Sequence, residues 1–168
     1  MRAYLPALGF VYVGIAVAAM ALRGESERTA VALFVLAGFA FLWFLGSLRA
    51  RLIRYDPEGF FAALVTTGGA VFFPLQAAAV AEKKVELAAL GASGAATVVV
   101  GSSLAALYAR KVPKWFGTAG VIGGLGILGV GAGEGAANWV LAGSALWASS
   151  LGFMIWVLAT ASWMLKNR

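Results

Sequence analysis

Gln76 stands two residues after Pro74, in an apolar run that also holds Thr66 and Thr67. A proline inside a helix removes a backbone hydrogen bond and bends the axis. An amide at membrane depth seeks a partner. Broken helices of this kind line substrate sites in many transporters. In the next apolar run, Thr97 and Ser102 would add hydroxyls to the same path. The chemistry within reach is small-molecule binding. The plainer expectation is a bent helix whose Gln76 bonds a neighbouring Ser or Thr.

Covalent catalysis finds little to work with. The chain has no histidine and no cysteine. That removes thiol chemistry, Cys/His metal sites, His-ligated haem and imidazole acid–base steps. The serines and threonines lack a base, and all five lysines fall between apolar runs or at the end of the chain. Glu134, with Asn138 close by, falls at an expected outer connection, not inside a span. Asp56 and Glu58 leave headgroup-level chemistry as the one enzymatic option. The expectation is a non-enzyme with no metal and no cofactor. Gly124-Leu125-Gly126-Ile127-Leu128-Gly129 matches the dinucleotide fingerprint G-x-G-x-x-G. It follows no strand and lacks an acid about 20 residues on, where Ser149 and Ser150 stand, so the match is set aside.

The elements that must carry these residues are set by composition. Of 168 residues, 62% are hydrophobic and only 12% are charged. A soluble domain of this length has no interior for so much apolar surface. About 20 apolar residues span a bilayer as helix, and backbone groups in lipid must be satisfied within the segment. Six runs approach that length: 4–22, 29–48, 60–81, 87–109, 116–133 and 137–165. The fold expected is all-α, a single polytopic bundle of about six transmembrane helices. Ala19-Met20-Ala21 imitates a signal-cleavage site, but the run before it is long enough to span, so an uncleaved first helix is expected.

The formal charge is +6. Its basic residues lie between the apolar runs, with nine Lys/Arg on the side holding both termini and four on the other. The positive-inside rule then puts both termini in the cytoplasm of a cell membrane. No connection is long enough to groove a nucleic acid. Leu48, Leu52 and Tyr55 share one helical face, so the second helix is expected to run on past the bilayer. There Arg49, Arg51 and Arg54 would meet lipid headgroup phosphates, and the plainer expectation is a helix end with snorkelling arginines. Asp56-Pro57-Glu58-Gly59 predicts a turn.

Between 117 and 135, nine glycines recur in an apolar run. On a helix, Gly117, Gly120, Gly124 and Gly131 share a face, while Gly126, Gly129 and Gly133 share the opposite one. Thin faces of this type admit a neighbouring backbone. The run is expected to be the packing centre of the bundle.

Two stretches, FLWFLGSLRARLIR at 41–54 and KVPKWFGTAG at 111–120, resemble small multi-pass bacterial membrane proteins of unknown function. In those an aromatic helix ends in a basic segment, and a Pro, basic, Trp, Gly sequence opens a glycine-rich helix. The resemblance implies a membrane bundle and carries no activity or site residues with it. The leading functional expectation is a non-catalytic membrane protein packed against lipid, a partner, a copy of itself or a small apolar ligand. A small transporter or channel is the alternative.

Overall fold

A computed structural model describes residues 2–22, 25–82, 84–110, 113–133 and 139–167, with side chains apart from those of 2, 3, 27, 85, 130–133 and 139–149. Every regular element among the described residues is helical. A short 3-10 turn, Arg2–Ala7, leads into α1 (Leu8–Leu22). Then follow α2 (Glu27–Leu52), α3 (Phe60–Glu82), α4 (Val85–Tyr108), α5 (Lys114–Gly133) and α6 (Trp139–Lys166). Among the described residues, four segments are long and apolar enough to cross a membrane: Tyr4–Leu22, Arg28–Leu52, Phe60–Glu82 and Glu86–Tyr108. They turn large apolar side chains outward, among them Val17, Leu36, Leu42, Val71, Leu90 and Leu104. Lipid tolerates such a surface and water does not.

The chain divides into two compact units. One combines Met1–Leu48 with Met154–Arg168. Its centre is aromatic. Phe41 and Phe44 are fully buried, with their rings 6.3 Å apart, and the buried Tyr12 ring lies 5.0 Å from Phe41. Gly9 lets α1 approach both the Phe44 ring and Ala161 of α6. The aromatic cluster of α2 is thus divided by helical periodicity. Ala37, Phe41, Phe44 and Leu48 face inward, while Phe39 and Trp43 face outward.

The second unit is Arg49–Phe153. Here α4 lies against α3 on one side and α5 on another, and it is the most deeply buried of the four candidate spans. Its junctions follow local rules. The end of α2 closes with a tightening turn, in which Arg54 N–H donates to Arg51 O and Tyr55 N–H to Leu52 O. Gly59 N–H then donates to Asp56 O at 3.0 Å, with Gly59 at φ +75°. That left-handed geometry suits glycine. The buried Asp56 carboxylate accepts from Phe61 N–H at 2.9 Å and so caps the first turn of α3. Asp56→Ala should lower thermal stability in detergent by about 1 kcal/mol, and Asp56→Asn by much less.

Pro74 does not divide α3, which runs unbroken from Phe60 to Glu82. The proline sits on the exposed side, and one missing backbone bond is tolerated there. Between α3 and α4, Lys84 Nζ bonds Glu82 Oε2 at 2.7 Å, and that carboxylate raises the lysine's pKa. Both side chains are more than half exposed, so the pair adds little stability. The far end of α4 stops at Arg110, whose φ is +52°. A non-glycine residue held there costs about 1 kcal/mol relative to glycine.

Candidate functional site

The antiparallel register of α3 and α4 is set by small residues. Gly68 and Gly94 meet at the crossing, with Phe72 against Gly94 and both Thr97 and Val98 against Gly68. A methyl group added at Gly94 would lie 2.5 Å from both Gly68 O and Phe72 N. This is the closest helix approach among the described glycines in which backbone meets backbone. One turn along, Gln76 folds over Gly91, and its Nε2 donates to Ala88 O at 3.2 Å. The expected Ser or Thr partner is therefore replaced by a main-chain carbonyl. The reason is steric, since Gly91 presents no side chain and opens the α4 backbone to the amide.

The other polar candidates do not join Gln76 in one path. Thr66 and Thr67 are exposed, and Gly68, Phe72 and Gln76 define the side of α3 that faces α4. Thr66 Oγ1 donates to Ala62 O at 2.7 Å and Thr97 Oγ1 to Ser93 O at 2.8 Å. Ser102 is buried, and its Oγ donates to Val98 O at 2.6 Å. Each of these hydroxyls donates its one proton to its own helix, which leaves it only acceptor capacity for a ligand. Gln76→Leu should keep the fold and lower stability by about 0.5–1 kcal/mol, the usual range for an interhelical hydrogen bond in a membrane. Chemical or thermal unfolding in detergent checks it.

The face of α5 containing Gly117, Gly120 and Gly124 is buried. Gly117 receives the Leu107 side chain, and Gly124 receives Val100 and the Ala96 carbonyl. Ser103, on α4 between Val100 and Leu107, is buried and its hydroxyl has no hydrogen-bond partner among the described residues. Helical spacing sets Ser103 in the row that meets these glycines, so its small size accounts for its place there. The opposite face differs from the expectation of a neighbour on both sides. Gly123, Gly126 and Gly129 have none of the described residues within 4 Å of where a side chain would start, beside exposed Ile122, Leu125 and Leu128. Gly131 and Glu134 lie outside the residues whose surroundings are described. Among the described residues of this unit, α4 lies between α3 and α5.

The three arginines separate. Arg49 and Arg54 are exposed, as a headgroup role requires. Arg51 is only 7% exposed and differs from them in this. It shares the inward side of α2 with Leu48 and Leu52, and that side is buried. Deeper in the chain Trp156 is buried, in keeping with a packing role.

No protein-family model, no curated protein and no solved structure matches this chain.

Proposed function

We propose that the chain is a six-span protein of the cell membrane, with both termini in the cytoplasm, that acts by packing and not by catalysis. Its contacts would be with lipid, with a membrane partner or copy of itself, or with a small apolar ligand. The observation that carries this reading is the fate of the polar side chains. Thr66, Thr97 and Ser102 bond carbonyls of their own helices, and Gln76 bonds the backbone of the adjacent one. A transport path needs such groups free and convergent. The wide outward apolar faces of α1 to α5 suit a protein whose surface is its working part.

Reporter fusions in each connection and at the C-terminus test the layout. The expected pattern places the termini, the α2–α3 connection and the α4–α5 connection inside. Native mass spectrometry of the full chain tests the activity. Retained lipid, a retained apolar molecule or a defined oligomer is the expected result. A bare monomer, together with solute flux from proteoliposomes, would refute the packing reading in favour of transport.

A further inference from the structure

We propose that one end of the second unit binds anionic phospholipid headgroups, through Arg110 and Lys114 on the α4–α5 side and Arg49 and Arg54 on the α2–α3 side. The inference rests on the membrane reading above but not on which way the protein faces. Antiparallel packing brings the start of α3, the end of α4 and the start of α5 to the same end. The Phe61 and Tyr108 rings lie 6.3 Å apart, and Leu107 seats on Gly117. All four basic side chains are exposed. Of the two acids there, Asp56 is buried on the N-terminus of α3, which leaves Glu58 as the exposed one among the described residues.

Aromatic side chains mark the same level. Phe60 is 61% exposed, Tyr108 73% and Trp115 70%. Exposed Tyr and Trp beside basic residues match the boundary between acyl chains and headgroups. A soluble acidic partner would explain the charges but not this ring of apolar anchors. Among the described residues, the opposite end of the unit has no such surface. Glu82, Lys84 and Glu86 mix both signs there, and Lys84 is paired with Glu82. Arg110 adds an independent sign. Its backbone is left-handed, where glycine fits best, so the turn alone does not account for an arginine. A guanidinium at the headgroup level does account for it, since it can bond phosphate in a bidentate manner.

The test uses the full chain taken from vesicles of equal phosphatidylglycerol and phosphatidylcholine, with retained lipid counted by native mass spectrometry. The wild type should retain phosphatidylglycerol preferentially. Arg110→Gln and Lys114→Gln should each lower that preference about fivefold, the ratio that corresponds to about 1 kcal/mol per basic residue near an anionic surface. Lys84→Gln at the opposite end should leave it unchanged. Arg110→Gly separates the lipid role from the turn. It should lower the preference as much as Arg110→Gln does, while its melting midpoint in pure detergent rises by about 2 °C. A falling midpoint with the lipid loss would make Arg110 a turn residue and overturn its assignment. Equal retention of the two lipids by the wild type overturns the proposal, as does an unchanged preference in the variants. Loss of the preference in excess inorganic phosphate would make free phosphate the ligand and overturn the lipid assignment. Labelling of Lys114→Cys from outside intact cells would refute the cytoplasmic orientation, while the lipid preference measured on the wild type would still support this surface.

Discussion

Gly94→Ala is expected to lower the stability of the chain by about 3 kcal/mol, at the upper end for overpacking by a single methyl group. The added carbon would sit 2.5 Å from Gly68 O and Phe72 N and 2.9 Å from Phe72 Cα. All three are backbone atoms, so no rotamer change gives relief. The helices α3 and α4 must move apart, and that also removes the seat of Gln76 on Gly91. Gly124→Ala should be milder. There the nearest atom is Val100 Cγ2, at 2.6 Å, while the backbone atoms Ala96 O and Val100 N stand 3.3 Å away, so the backbones are less crowded than at Gly94. Gly126→Ala meets nothing within 4 Å and should be neutral or stabilising by up to about 1 kcal/mol, through helix propensity alone. Gly68→Ala acts on the same crossing, with Gly94 O 2.8 Å away. Once the helices have parted, the second substitution should cost less than the first, so the pair should be non-additive. Unfolding of the four variants in detergent gives the order directly. If Gly94→Ala were as stable as Gly126→Ala, the crossing would not be as close as described.

The helices themselves were legible because apolar runs of this length have few alternatives to helix. Six apolar runs became six helices with ends shifted by a few residues, and the largest extension, α2 reaching Leu52, follows the Leu48–Leu52 spacing. What composition does not carry is register. Glycine density points to 117–135, yet the closest crossing needs only two glycines that meet at one level, and Gly68 and Gly94 stand 26 positions apart in the chain. The same limit explains the arginines. Three basic residues near a helix end look alike as charges, and only the helical phase that joins Arg51 to Leu48 and Leu52 sets it apart. It also explains Thr66 and Thr67. They share a short stretch with Gly68, but a helix turns about 100° per residue, so neighbours in sequence point to different surroundings.

Phe44→Ala is the second large loss expected, at about 2–3 kcal/mol. In a soluble core the same change removes about 3–5 kcal/mol, from lost transfer energy plus the cavity left behind. Lipid is as apolar as the protein interior, so most of the transfer part disappears and the lost contacts remain. Those contacts are specific. Phe44 is fully buried, its ring is stacked with Phe41, and it lies against Gly9. Trp43, next in sequence but 62% exposed, should tolerate alanine with a change within about 0.5 kcal/mol. The Gly9 contact supplies a sharper check. A methyl group at Gly9 would lie 3.0 Å from the Phe44 ring and 2.9 Å from Ala161 Cβ, so Gly9→Ala alone should destabilise. With Phe44 reduced to alanine, that methyl enters the vacated space and only the Ala161 contact still resists it. The double variant should therefore be more stable than the two single losses added together, by about 1 kcal/mol. Strict additivity would mean that Gly9 and Phe44 do not share this space, and the packing of α1 on α2 would need a different account.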